Sequence, residues 1–187
     1  MLHRPLIYFY LKSFLIPKPT KTLTNSLIRI HIFETQSGFM LLNITIGVSI
    51  IGITILIHGY GTFFWVKLLA NKYKKKRNLL SNIKNVWLLI YTAIFLLALN
   101  FIEAIIWGIA YYILPGITEF ESLEKAIYFS LVTFTTLGYG EITISSANRI
   151  LAGFEAMDGV LLLGWTTAIM FSVLQYTIKD MLKNKEN

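Results

Sequence analysis

Three long apolar stretches constrain the fold of this chain more than any other feature. Residues 42–66 contain no Asp, Glu, Lys or Arg, residues 86–114 contain one carboxylate, and residues 150–178 contain two, both near the start. Each stretch, as a helix rising about 1.5 Å per residue, exceeds the hydrocarbon core of a bilayer, which is about 30 Å thick. The sequence therefore predicts an all-α integral membrane protein with three transmembrane helices.

Composition agrees with this prediction. In the full sequence 55% of the residues are hydrophobic and 14% are charged, whereas a soluble domain carries about 25% charged residues. The absence of cysteine excludes disulfide scaffolds, cysteine-ligated zinc and thiol catalysis. The net charge of +7 is compatible with nucleic-acid binding, but in so apolar a chain we attribute it to membrane topology and expect no nucleic-acid partner.

Basic residues predict the orientation in a plasma membrane. They are concentrated between the first two spans, at Lys67, Lys72, Lys74, Lys75, Lys76, Arg77 and Lys84. The positive-inside rule places this loop (71–85), and with it the tail (179–187), in the cytoplasm. Anionic lipid headgroups are the expected secondary partners of Lys72, Lys74, Lys75, Lys76 and Arg77.

The N-terminal extension (1–39) fits this topology poorly, because it is basic and yet lies outside. Two interpretations stay open. Translation could start at Met40 instead of Met1, so that the extension is not native, or the extension could lie along the membrane surface as an amphipathic segment.

A fourth apolar segment, residues 123–135, is about 20 Å long as a helix and too short to cross. We expect it to be re-entrant. Ser122 is a suitable N-cap, Glu124 favours the first turn, and the C-terminus is expected at Thr135, with its negative dipole end facing the centre of the assembly.

The residues that follow are Thr136, Leu137, Gly138, Tyr139 and Gly140. With the short apolar segment before them and a span on each side, they resemble the pore helix and selectivity filter of small bacterial potassium channels. The resemblance implies a filter at 136–140 that binds K⁺ through the backbone of its first four residues. Glycines at alternate positions suit this role because they reach positive φ without steric cost. Leucine stands where valine or isoleucine is commoner.

The resemblance covers residues 86–178. It implies an outer helix (86–114), a pore helix (123–135), the filter (136–140) and an inner helix (150–178), with residues 40–70 as an extra transmembrane helix. One chain supplies one loop, so a closed ring implies a homotetramer, with K⁺ as permeant ion and no cofactor. Cavity and hinge residues on the inner helix would be Gly159, Val160, Leu163, Gly164 and Thr167. The extra helix offers close-approach points at Gly47, Gly52 and Gly59.

Carboxylates inside the spans are costly and therefore informative. Many potassium channels carry a carboxylate behind the filter at a position that is Val132 here. We hypothesise that Glu155 or Glu103 reaches this region and supports the filter, with Thr135 at the end of the pore helix. Alternatively, the two carboxylates only join helices.

Three other polar residues have two interpretations each. Glu141 follows the filter, so a ring of four Glu141 carboxylates would attract K⁺ and blocking divalent cations. Alternatively, these carboxylates are simply solvated. Asp158 could face the cavity, although the helical register turns it away. His58 is interpreted as a polar contact between helices, with a proton sensor as the alternative.

The sequence thus predicts a potassium-selective channel, not an enzyme. A weakly selective cation channel and a non-conducting subunit are the alternatives, along with a membrane-embedded metalloenzyme using His58, Glu103, Glu155 and Asp158. No span has arginine at every third position, so a voltage sensor of the usual kind is not expected. The gating stimulus is not apparent from the sequence.

Overall fold

The structure is a computed structural model that describes the backbone of residues 21–74, 82–144 and 148–183. Within these ranges the chain forms four α-helices and no strand: α1 (Lys21–Lys74), α2 (Asn82–Ile113), α3 (Leu123–Phe134) and α4 (Arg149–Lys183). The predicted all-helical fold is confirmed.

Three of these helices are long and apolar enough to cross a membrane. The segments are Gly38–Asn71 in α1, Val86–Ile113 in α2 and Arg149–Lys179 in α4. The remaining helix, α3, has 12 residues and is too short to span a bilayer. The three predicted spans therefore correspond to three helices that could cross a membrane.

The chain divides into two compact units, Met1–Leu41 and Leu42–Asn187. In the first unit the described part begins with α1, and residues 1–20 lie outside the described residues, so both interpretations of the N-terminal extension stay open. The predicted lipid contacts of Lys75, Lys76 and Arg77 also lie outside them. All contacts reported below belong to the second unit.

The connection that follows α2 is tied to the start of α4. The helix ends at Ile113, just before the Pro115–Gly116 pair, and Gly116 has a φ of +95°. The Asn148 side chain donates a hydrogen bond through Nδ2 to the Gly116 carbonyl oxygen at 3.0 Å. This contact fixes where α4 starts relative to α2.

An aromatic core lies between α2, α3 and α4. Trp107 and Tyr111 of α2 are fully buried, and Phe120 and Phe129 pack around Tyr111 with ring centroids 6.0 and 5.3 Å away. Ala126 and Phe134 of α3 and Leu151 and Leu162 of α4 belong to the same buried cluster. The short α3 is therefore held between the two long helices.

Glycines bring α1 close to the other helices, though not all of them are those predicted. A Cβ at Gly47 would lie 2.8 Å from the Phe154 ring, and one at Gly61 would lie 2.9 Å from Leu99. At Gly59 the nearest atom would be 3.7 Å away, which is an ordinary contact, and at Gly52 no atom of the described chain would lie within 4 Å. The prediction for Gly52 is therefore wrong within one chain, because that face of α1 is exposed.

Candidate functional site

The start of α3 is capped as predicted. Ser122 has an extended backbone (φ −143°, ψ 153°), and its side-chain oxygen accepts a hydrogen bond from the Lys125 amide at 3.3 Å. Glu124 lies in the first turn, where its charge favours the positive end of the helix dipole. These contacts fix the N-terminal end of α3.

The C-terminal end of α3 leads directly into the 136–140 loop through a Schellman motif. The Thr136 amide donates to the Thr133 carbonyl and the Leu137 amide donates to the Val132 carbonyl, both at 2.9 Å, with Thr135 as the C-cap. The residue that adopts the left-handed conformation in this motif is usually glycine. Here it is Thr136, with a φ of +57°.

Positive φ recurs at every second residue of the loop: Thr136 at +57°, Gly138 at +55° and Gly140 at +78°. The sequence predicts positive φ at the two glycines but not at Thr136. Thr136 is the one non-glycine residue with positive φ in the described chain. This conformation costs an L-residue about 1–2 kcal/mol, and such strain is typical of functional segments. An alternating backbone can turn successive carbonyl groups to one side, as a row of cation ligands requires.

The two large side chains of the loop do not pack within their own chain. Leu137 is 56% exposed and Tyr139 is 65% exposed. In the described part of the chain the Tyr139 hydroxyl makes no hydrogen bond. The space behind the loop is therefore open to another molecule.

The outer end of the loop is also tied to α3. The Tyr128 hydroxyl donates a hydrogen bond to the Glu141 carboxylate, and this contact raises the pKa of Tyr128, so that its proton is retained. Nearby, Lys125 Nζ donates to Glu121 Oε2 at 2.5 Å and holds the pKa of Glu121 below its usual value. Glu141 therefore contacts the candidate site, whereas Glu121 is paired with a lysine.

Glu155 joins the three helices around the core. Its carboxylate accepts a hydrogen bond from the Tyr111 hydroxyl of α2 at 2.7 Å and one from the Ser130 hydroxyl of α3. Ser130 Oγ also lies 2.5 Å from the Ala104 carbonyl oxygen, and its one proton can be donated to either acceptor. Glu155, Tyr111 and Ser130 are all fully buried. The carboxylate near α3 thus comes from α4 and contacts Ser130 rather than Val132.

The other two carboxylates make different contacts. Glu103 Oε1 lies 2.9 Å from His58 Nδ1 of α1, so this side chain faces α1. Asp158 Oδ2 accepts a hydrogen bond from the Trp107 indole at 2.8 Å and lies 2.8 Å from Thr54 Oγ1. Asp158 is 1% exposed, and these contacts turn it toward α1 and α2.

The predicted cavity residues of α4 do not all share one environment. Val160, Gly164 and Thr167 are exposed in the single chain, and Leu163 is half-buried against the core. Gly159 is buried where α4 meets the end of α3. The glycine itself is the sequence signal that could have predicted this close approach, because a larger residue would not fit there.

No group of three or more His, Cys, Asp or Glu residues that could hold a metal ion occurs among the described residues. Asp158 and Glu155 instead accept hydrogen bonds from hydroxyl or indole groups of neighbouring helices, and Glu103 pairs with the His58 imidazole.

These features define a class of membrane protein in which two spans enclose a short capped helix and a strained glycine loop. A family model described as "Ion channel" matches residues 86–176, which include α3, the 136–140 loop and most of α2 and α4. This match identifies a segment similar to ion-channel domains, and together with the three apolar helices it supports an ion channel in a membrane. Comparisons with curated proteins and with solved structures gave no match.

Proposed function

We propose that this chain forms a homotetrameric channel that conducts K⁺ passively across the plasma membrane, with residues 136–140 as its selectivity filter. The observation that carries the proposal is the alternation of positive φ at Thr136, Gly138 and Gly140. Backbone carbonyls of residues 136–139 would replace the hydration shell of the permeating ion. The similarity of this segment to ion-channel domains supports the same function.

The single chain leaves most of its apolar helical surface exposed, which supports assembly into a tetramer. Only 22% of the residues in the most apolar part of α1, 33% in α2 and 22% in α4 are buried. The open faces include Leu137, Tyr139 and Val160. Lipid can cover apolar side chains, but a buried tyrosine hydroxyl needs a hydrogen-bond partner. Neighbouring copies would supply that partner and close the ring of carbonyl groups.

In this assembly α3 would be a re-entrant pore helix and Glu141 would form an acidic ring at the outer mouth. Val160, Gly164 and Thr167 would line the inner cavity. The basic connection between α1 and α2 and the tail after α4 would lie in the cytoplasm. Lys72 and Lys74, at the C-terminal end of α1, would lie near anionic headgroups.

The reversal potential of the purified protein in planar bilayers tests this proposal, with KCl on one side and NaCl on the other. We expect a value near the K⁺ equilibrium potential and block by Ba²⁺. A clear current that reverses near zero would instead indicate a weakly selective cation channel. No current in several lipid compositions would indicate a non-conducting subunit.

Within this proposal Glu155 supports the filter through α3, and Glu103 does not. The Glu155→Gln substitution replaces the charged acceptor of the Tyr111 and Ser130 hydroxyl groups with one neutral amide oxygen, and a hydrogen bond to a charged group contributes about 1.5–3 kcal/mol. We expect the K⁺/Na⁺ permeability ratio to fall severalfold. Glu103→Gln removes an equally buried carboxylate that contacts α1, and the ratio is expected to stay the same. Equal ratios in both variants would contradict this role.

A further inference from the structure

A cluster of buried ionisable side chains lies where α1 contacts α2 and α4, apart from the loop. His58 of α1, Glu103 of α2 and Asp158 of α4 are 0%, 0% and 1% exposed. His58 Nδ1 pairs with Glu103 Oε1 at 2.9 Å, and Asp158 interacts electrostatically with both His58 and Glu103. The proposed conduction path uses none of these three side chains.

Each member of the cluster has an unsatisfied polar atom. Within the part of the chain that the structure describes, His58 Nε2, Glu103 Oε2 and Asp158 Oδ1 are buried without a hydrogen-bond partner. An ionised side chain inside a bilayer is costly unless it is paired with an opposite charge. With a neutral imidazole, two ionised carboxylates would leave two negative charges here, and one added proton halves that charge.

The surroundings of His58 are acidic and aromatic. Glu103 faces it from α2, and from α4 come Asp158 and the Trp165 ring, whose centroid lies 5.3 Å from that of the imidazole. Aromatic faces attract cations at such distances. The charged residues of α3, Glu124 and Lys125, lie in its first turn. A proton on His58 therefore strengthens the attraction of α1 for both α2 and α4.

The α4 side of the cluster adjoins the proposed pore. Asp158 immediately precedes Gly159, which packs against the end of α3, and lies one turn after Glu155, which contacts Ser130. A displacement of Asp158 would therefore also move the part of α4 that packs against α3. In the structure α4 is one continuous helix through this region.

We infer that His58, Glu103 and Asp158 form a proton-binding site through which α1 holds α4 in place at acid pH and reduces conduction. The inference rests on the proposed function, because a current can report the effect of the proton only if the protein conducts. Histidine is the side chain whose charge changes between about pH 5 and 8. A histidine that gains anionic partners on folding adds stability at acid pH, and this stability is lost as the pH rises.

The first test compares K⁺ flux into liposomes at about pH 5.5 and about pH 8. Flux of the wild-type protein is expected to be severalfold lower at the acid pH, and flux of His58→Gln to change by less than about twofold, because glutamine retains a polar side chain but does not take up a proton. An acid response of full size in His58→Gln would overturn the inference.

A disulfide between α1 and α4 provides a second variant. The chain has no cysteine, and a Cβ at Gly47 would lie 3.2 Å from Phe154 Cβ, close to the roughly 3.5–4.5 Å of a disulfide. In the Gly47→Cys/Phe154→Cys protein, the oxidised form is expected to conduct weakly at both pH values. Reduction of the same sample should restore the acid response. An oxidised form that conducts fully at alkaline pH would overturn the inference.

Thermal unfolding in detergent separates this inference from the proposed function. Acidification is expected to raise the Tm of the wild-type protein by a few degrees more than that of His58→Gln. If this difference appears without K⁺ flux in any sample, the proton site is supported and the proposed conduction fails. If the two proteins shift equally, the proton site is wrong whether or not the protein conducts.

Discussion

Replacing Gly138 with alanine is expected to abolish K⁺ current while leaving a folded protein. Gly138 has a φ of +55°, where alanine costs about 1–2 kcal/mol per chain. Among the described residues nothing lies within 4 Å of an added Cβ, so the effect comes from the backbone rather than from a clash. A relaxation of φ toward negative values would turn a carbonyl group out of the row, and a ring of four would lose four ligands together.

Gly116→Ala is the matched control for this prediction. Gly116 also has a positive φ, +95°, but it lies in the turn after α2, outside the loop. Both variants should lose a similar amount of stability by thermal unfolding, whereas only Gly138→Ala should lose current in planar bilayers. Normal K⁺ current in Gly138→Ala would refute residues 136–140 as the filter.

The sequence predicted the order of helices because length and hydropathy suffice for membrane spans. The caps of α3 were also predictable, since Ser122 and the residues that follow it are local signals. Thr136 was not predicted to have positive φ, because propensity assigns such positions to glycine. Its conformation follows from the Schellman hydrogen bonds that join the loop to α3, and these depend on where the helix ends.

The contacts of α1 were harder to predict, although a signal was present. Asn43, Thr54, His58 and Trp65 lie at helical spacing on one face, and each bonds to a residue of the following segments. A polar stripe on a membrane helix predicts a face that packs against protein. It does not identify the partners, because any of the other helices could supply them. Only the tertiary structure pairs His58 with Glu103 rather than with Asp158 or Glu155.

Replacing Gly159 with alanine is expected to have the largest effect on stability. A Cβ at this position would lie 1.9 Å from the Phe134 carbonyl oxygen, 2.7 Å from its carbonyl carbon and 3.0 Å from its Cα. These are backbone atoms at the end of α3, which cannot move aside as a flexible side chain can. Overpacking in a core costs about 1–3 kcal/mol and more where the backbone must shift, so we expect the upper end of this range, or a Tm lower by roughly 10 °C.

The same substitution at Gly153 is the control, because it separates the clash from the change in helix propensity. Both glycines lie within α4, but no described residue comes within 4 Å of a Cβ at Gly153. Alanine is favoured over glycine in a helix by about 1 kcal/mol. Gly153→Ala should therefore unfold at an equal or slightly higher temperature in detergent. Because the clash moves the end of α3, Gly159→Ala should also lose K⁺ selectivity wherever it still assembles. Similar Tm values for the two variants would show that α4 does not approach α3 as closely as the structure indicates.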